Sequence, residues 1–322
     1  MILITGCTTL MGKKLTERLL SAGNKIRCLD FEKPKNFTKN VDFIEGDVLD
    51  IVTVRKACKG VETIIHIMDL PSPGHYSRKY MKKLNINGTQ NLLTIAQKEG
   101  VKNFFFMSSY EVYGRAKAIP VRQDDPKKPV TRFGKDKLKA ENICWKELKK
   151  NKIAITIFRP ALITGPETDD PTMLITLFMA MAMSEANRMY ISGNGDNRFQ
   201  LLHPDDAADA VFAAYKRGGT SGKVYNLGSD NVPTQMEQII KIKELARLDC
   251  EIRHLTPDFS RFLSIVFRPF KIRYLTPEHV MMLTINMLMD CQMAKKDLNW
   301  EPKKDNLGIL LETIEWYKKE KL

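Results

Sequence analysis

The residues of this chain best suited to chemistry begin at its fifth position. Thr5-Gly6 ends the apolar run Met1-Ile2-Leu3-Ile4, Gly12 follows, and Asp30 stands 18 residues beyond Gly12. The run suits a buried parallel strand, and the glycine suits a tight turn. Leu10, Leu15, Leu19 and Leu20 recur at helical spacing, so the turn opens a helix. The free N–H groups of its first turn, Leu10 and Met11 among them, with the dipole behind them, can hold a pyrophosphate. Lys25 to Leu29 then gives a second strand, which ends on Asp30. A carboxylate there can accept both hydroxyls of a ribose and repels a 2′-phosphate, so the expected ligand is NAD rather than NADP.

Composition narrows the class of molecule around that site. The 322 residues are 43% hydrophobic, enough for one large domain or two modest ones. The longest apolar stretch, Met173 to Met183, is too short to span a bilayer, and the N-terminus lacks a signal peptide's basic region. A soluble, cytoplasmic protein is therefore expected. Six cysteines (Cys7, Cys28, Cys58, Cys144, Cys250, Cys291) lie far apart without a Cys-x-x-Cys pair, which points to reduced, buried thiols and to no metal site or disulfide framework. The formal charge of +13 comes from short runs such as Lys127-Lys128, Lys149-Lys150 and Lys318-Lys319. These read as solvated faces, and no nucleic-acid-binding signature accompanies them.

The elements that must position the glycine turn follow in alternation. Strands are expected at Val41 to Glu45, Thr63 to Met68, Phe104 to Met107 and Ala154 to Phe158, with helices near Val52 to Cys58, Lys82 to Lys98 and Gly134 to Asn151. Such alternation predicts an α/β fold with a doubly wound parallel sheet. Strand ends at Asp30, Asp47, His66 to Asp69, Ser108-Ser109 and Arg159-Pro160 should converge at the carboxyl edge, where these sheets bind ligands. Past Gly165-Pro166 the pattern turns irregular and more helical. This divides the chain into a dinucleotide-binding domain (1–165 and 198–228) and a smaller substrate-covering region (166–197 and 229–322).

Several segments in order resemble an established family. Thr5-Gly6-Cys7-Thr8-Thr9-Leu10-Met11-Gly12, Gly46-Asp47-Val48, His66-Ile67-Met68-Asp69, Asn85-Ile86-Asn87-Gly88-Thr89, Ser108 to Gly114, Arg159-Pro160 through Gly165-Pro166, His203 to Asp206, and Asp290 to Pro302 with Trp316-Tyr317 match its landmarks. Over essentially its whole length the chain looks like an extended short-chain dehydrogenase/reductase, of the NAD-dependent epimerase/dehydratase superfamily. The resemblance implies a Rossmann-type fold, NAD as cofactor, Asp47 and Val48 at the adenine, and Met68 and Asn85 beside the cofactor. It also implies that Ser109 holds the substrate oxygen, that Lys137 binds the nicotinamide ribose, and that a homodimer forms through the helices near 82–98 and 134–151. His66 matches an ordinary family position and reads as structural, although histidine titrates near neutral pH.

The departures from the pattern concern chemistry more than fold. The family's catalytic Tyr-x-x-x-Lys is Phe133-Gly134-Lys135-Asp136-Lys137 here, and phenylalanine has nothing to titrate. Losing a general acid–base group raises the barrier by about 3 to 5 kcal/mol unless another group substitutes. By the resemblance, Tyr110 and Glu111 occupy places where sugar-nucleotide dehydratases carry catalytic groups. The alternatives are that Tyr110 is a core aromatic and Glu111 a positioning residue, or that Phe133 was introduced to trap a ligand. Thr9 replaces a glycine that lets the backbone approach pyrophosphate, and weaker binding is expected. Met68 and Asp69 replace two alanines; Met68 would crowd NAD, and Asp69 would address substrate or lie in a harmless loop.

For the substrate, Leu162 stands where sugar-nucleotide enzymes of the superfamily carry an asparagine. The segment Arg159 to Pro166 looks more like the 3β-hydroxysteroid dehydrogenase and ketone-reductase branch. A hydroxyl or ketone of a fairly apolar small molecule is the leading expectation, with a catalytically impaired NAD-binding sensor or assembly subunit as rival and a nucleotide-sugar epimerase or dehydratase third. Arg198 reads either as a contact to a substrate phosphate or carboxylate or as a surface ion pair. Met173, Met179, Met181, Met183 and Met189 would line an apolar ligand or simply pack the core. Phe259, Phe262, Leu263, Val266, Phe267 and Phe270 opposite Arg261, Ser264, Arg268 and Lys271 make an amphipathic helix up to Pro269, for a membrane surface (259–271) or its own domain.

Overall fold

Alternate residues of each central strand feed opposite cores, and this decides the architecture. In β1 (Ile2–Thr5), Ile2 and Ile4 face one hydrophobic cluster and Leu3 the other; in β4 (Thr63–His66), Ile65 and Ile64 divide in the same way. β5 (Asn103–Met107) sends Phe105 and Met107 to the first cluster and Phe104 and Phe106 to the second. A strand buried on both faces needs helices on both, which is the doubly wound arrangement.

The computed structural model describes residues 1–35, 37–68, 76–167, 188–245, 247, 249–256, 258–259, 262 and 284–321. Seven parallel strands form the main sheet. After β1 come β2 (Ile26–Asp30), β3 (Asp42–Glu45), β4, β5, β6 (Ala154–Pro160) and, later in the chain, β10 (Val224–Leu227). Their spatial order is β3-β2-β1-β4-β5-β6-β10, so the order reverses between β1 and β4. A crevice therefore opens there, outside the carboxyl ends. Two-stranded parallel pairs lie outside the sheet: β7 (Leu162–Ile163) with β9 (Leu201–Leu202), and β8 (Arg188–Ser192) with β11 (Glu251–Leu255).

Helices α1 (Leu10–Ser21), α2 (Ile51–Cys58), α3 (Arg78–Lys83), α4 (Thr89–Lys98), α5 (Arg132–Leu148), α6 (Pro204–Arg217), α7 (Gln235–Leu245), α8 (Gln292–Leu298) and α9 (Asn306–Lys321) complete the described elements. α6 shows how local sequence sets its ends. Pro204 opens it, Asp205 and Asp206 sit at the positive end of its dipole, Lys216 and Arg217 at the negative end, and Gly218 stops it at φ 65°. Among the described residues no helix is long and apolar enough to cross a membrane.

Apart from shifts of one to three residues at element ends, as in α5, which was expected from Gly134 to Asn151, two details differ from the expected elements. The helix expected from Lys82 starts at Arg78 and passes through a wide π-type turn, Leu84–Gly88, before α4. A Cβ on Gly88 would lie 2.5 Å from Val48 Cγ2, so the glycine lets this turn rest on the segment after β3. The strand expected to reach Met68 stops at His66, because the N–H groups of Ile67 and Met68 both donate to the Thr5 carbonyl at 3.0 Å. That turn carries Met68 under Gly6 and buries its side chain in the second core cluster.

Candidate active site

The glycine turn is shaped by backbone contacts. Gly6 has φ +78°, and a Cβ on it would lie 2.5 Å from Met68 N; one on Gly12 would collide with the Gly6 carbonyl oxygen. Thr9 caps α1: its hydroxyl donates to Gly6 O at 2.8 Å and accepts from Gly12 N at 3.1 Å. The threonine thus ties the turn together where the family pattern has glycine. The N–H groups of Leu10 and Met11 make no hydrogen bond to the described residues, as first-turn donors without a cap do.

Asp30, buried at the end of β2, faces this turn. Its Oδ2 accepts from Thr8 N at 2.9 Å and Thr8 Oγ1 at 2.8 Å, and its Oδ1 accepts from Phe31 N at 2.9 Å. A carboxylate offers about four acceptor positions, so one on Oδ1 remains, and the Thr8 hydroxyl can rotate away to release another. Farther along the edge, Asp47 accepts from Leu49 N at 2.8 Å and from the Tyr80 hydroxyl at 2.5 Å. Val48 is fully buried, and its carbonyl accepts from Asn91 Nδ2 at 3.1 Å. Unsatisfied N–H donors, a cradle that a Cβ would fill and a carboxylate at the ribose position together fit NAD. Leu10 and Met11 would take the pyrophosphate and Asp30 the adenosine ribose.

The candidate catalytic residues gather near the carboxyl ends of β5 and β6. Thr131 caps α5, and Phe133 and Lys137 follow on one buried face at i and i+4. Lys137 Nζ donates to the Met107 carbonyl at 2.6 Å and stands 5.1 Å from the Phe106 ring and 5.5 Å from the Phe133 ring. The Ser109 hydroxyl oxygen accepts from Glu111 N at 3.2 Å, which leaves its own proton to donate. Glu111 accepts a hydrogen bond from the Thr131 hydroxyl, and its backbone carbonyl presses on α5 so closely that a Cβ on Gly134 would lie 2.5 Å from it. Tyr110 packs beside Phe199, Ile285 and Met287; burial, then the charge of Glu111, push its phenol pKa well up. Tyr110 therefore keeps its proton at neutral pH.

Below this surface runs a buried ionic network that the sequence reading did not single out. Glu141 receives two bonds from Arg159, at 2.9 and 2.7 Å, and one from the Ser108 hydroxyl at 2.5 Å. Arg159 also donates to the Tyr113 hydroxyl at 2.8 Å and the Gln123 carbonyl at 2.7 Å, and Tyr113 donates to Asn226 Oδ1 at 2.6 Å. The network locks the strand ends that carry Ser109. Its signal was present as a third member of the α5 face, since Glu141 stands at i+4 from Lys137. His66 is held between Thr5 Oγ1 at 2.7 Å and Thr89 Oγ1 at 3.1 Å. Burial, aided by the Lys137 charge, lowers its pKa to about 3, which suits a neutral structural imidazole.

The remaining candidates are dispersed. Asn85 is buried on the π-type turn. Arg198 is half-buried, away from the glycine turn in sequence, and its guanidinium donates to the Val232 carbonyl. Among the described residues it has no carboxylate ion-pair partner. Asp69, the methionines from Met173 to Met183, and most of the 259–271 helix lie outside the described residues; Phe259 and Phe262 are exposed, and their rings stack at 6.4 Å. All six cysteines are buried free thiols.

Comparison with known proteins agrees with this geometry. Residues 2–228 match the NAD dependent epimerase/dehydratase family. An uncharacterized protein, y4nG, of Sinorhizobium fredii is 25% identical over 315 residues, 98% of this chain and 78% of that protein. The dTDP-glucose 4,6-dehydratase of Streptomyces griseus is 26% identical over 77% of this chain and 79% of its own length. Among solved structures, UDP-glucose 4-epimerase from Thermotoga maritima with UDP-glucose superposes with a TM-score of 0.80 at 23% identity, covering 99% of this chain and 98% of that one.

Proposed function

Because the chain belongs to the NAD dependent epimerase/dehydratase family, with NAD as its cofactor, we propose that it exchanges a hydride with a hydroxyl-bearing carbon of a nucleotide-linked sugar. The observation that carries the reading is the buried Lys137 ammonium on the same strand-end platform as Ser109, across the crevice from the Asp30 turn. NAD, when bound, supplies the hydride acceptor. Ser109 would donate a hydrogen bond, not its proton, to the substrate oxygen, and Lys137 would exchange its bond to the Met107 carbonyl for one to the nicotinamide ribose. Glu111, already paired with the Thr131 hydroxyl, is the proton acceptor in place of the missing phenol. Glu111 returns the same proton on reduction, and Tyr110, kept protonated by burial, supplies a hydrogen-bond donor beside it.

A nucleotide-linked substrate is supported by the relatives, whose names specify dTDP-glucose and UDP-glucose, and by the half-buried guanidinium of Arg198. Leu162 and the apolar wall of Tyr110, Phe199, Ile285 and Met287 favour the competing apolar alcohol. One panel decides: the protein is incubated with NAD and UDP- and dTDP-hexoses, or with apolar secondary alcohols, and products are read by mass and NMR. Sugar conversion abolished by Glu111→Gln is the expected result. Conversion of apolar alcohols alone overturns the substrate class.

Phe133 supports a second reading, an NAD-binding protein without turnover. The Lys137 ammonium is already satisfied by a carbonyl and two aromatic faces. NAD that raises the melting temperature while no panel compound is converted is the outcome this reading requires. A homodimer through α4 and α5 belongs to either reading and is checked by sedimentation.

A further inference from the structure

Three aromatic rings stand together where the carboxyl ends of β2 and β3 meet. Phe31 directly follows Asp30, Tyr80 lies on α3, and Tyr76 lies just before that helix. The Tyr76 ring is sandwiched: its centroid is 5.7 Å from that of Phe31 at an interplanar angle of 30°, and 5.1 Å from that of Tyr80 at 18°. We infer that Phe31 and Tyr80 are the two walls of a slot for the adenine base of the bound dinucleotide, and that Tyr76 is a placeholder ring which the base displaces. The inference rests on the NAD reading above.

Placement comes first. Asp30 fixes the adenosine ribose at the end of β2, and the pyrophosphate lies back toward α1, so the base must extend the other way, over the β2–β3 edge. Phe31 and Asp47 border that edge: Gly46 N donates to the Asp30 carbonyl at 2.8 Å, which brings the segment carrying Asp47 against the one carrying Phe31. A purine presents two π faces, and a flat ring already lies between two others at this spot.

The three rings are held unequally. Phe31 packs against the second core cluster, and its N–H is bonded to Asp30. Tyr80 packs against the same cluster, and its hydroxyl is bonded to Asp47 at 2.5 Å. Asp47 in turn sits on a segment fastened to α4 through Asn91. Tyr76 is 38% exposed and belongs to no core cluster among the described residues. Two anchored walls around one loosely held ring is the arrangement expected of a slot with an exchangeable occupant.

The test is calorimetric titration of cofactor-stripped protein with NAD, ADP-ribose and nicotinamide mononucleotide, for the wild type, Tyr76→Ala and Phe31→Leu. Tyr76→Ala empties the slot without touching a wall, so NAD and ADP-ribose should bind about fivefold tighter, the size of one aromatic stacking contact no longer displaced. Phe31→Leu should weaken both about tenfold, the order of one base–aromatic stack. Nicotinamide mononucleotide, which lacks the base, should be unaffected by either. Wild-type binding of NAD with ADP-ribose affinity unchanged or weakened in Tyr76→Ala overturns this inference alone. A wild type that binds neither NAD nor ADP-ribose overturns the cofactor reading and the slot with it.

Discussion

The two ends of the crevice tolerate change differently. At the cofactor end the working parts are mainly backbone: the left-handed Gly6, the Gly12 contact that no Cβ can occupy, and the N–H groups of Leu10 and Met11. Thr9 departs from the family pattern there, and the turn absorbs it by using the hydroxyl as a cap. At the proposed catalytic end the working part in the family's pattern is a single side-chain atom, the tyrosine hydroxyl, and Phe133 lacks it. The ring keeps the packing around Lys137, at 5.5 Å, yet offers no proton. Geometry survives a substitution that fills the same space, whereas acid–base chemistry then needs a titratable group from elsewhere, the part proposed for Glu111 and served by it less fully than by a phenol.

The largest expected effect comes from restoring that group. Phe133→Tyr should raise turnover by roughly 10² to 10⁴, with NAD affinity unchanged, when rates and titrations are compared side by side. A variant no faster than the wild type would mean that Glu111 and Tyr110 already do the full work, or that the site has lost its chemistry elsewhere. Next is the network under Ser109. Arg159→Leu leaves Glu141 buried and unpaired and should cost about 3–5 kcal/mol in denaturant unfolding, much of it recovered in the double variant with Glu141→Leu. A loss under 1 kcal/mol would show that the strand ends do not depend on this pair.

His66 gives the cofactor side a comparable handle. Its folded pKa, about 3, lies below the ordinary 6.5, so the unfolded chain binds its proton first. Its contribution is fully present above pH 6.5 and is lost as pH falls toward 3; it amounts to roughly 5 kcal/mol. His66→Asn should flatten that acid limb of stability against pH, and an unchanged slope would contradict the assignment. The smallest effect is expected at Thr9. Thr9→Ala should cost about 1 kcal/mol through the lost cap, measured by thermal unfolding.

This contrast also explains what was legible in the sequence. The sheet, its alternation with helices and the glycine turn were readable because they rest on periodic hydrophobicity and on residues with special backbone freedom. The placement of Asp30, Asp47 and Ser109 at strand ends was readable for the same reason. The Thr131 bond to Glu111, the Glu141–Arg159 pair and the Phe31–Tyr76–Tyr80 stack were not, because each joins segments distant in the chain through side chains of ordinary type. Met68 illustrates the limit. Its size suggested crowding at the cofactor, but the turn under Gly6 directs the side chain into the core.

The most direct test of an intact cofactor end is calorimetric titration of the stripped wild-type protein with NAD and NADP at one salt concentration and pH. The proposed contact of Asp30 with the adenosine ribose predicts micromolar binding of NAD and binding of NADP at least about tenfold weaker. Equal affinities, or no heat from either nucleotide, would contradict it.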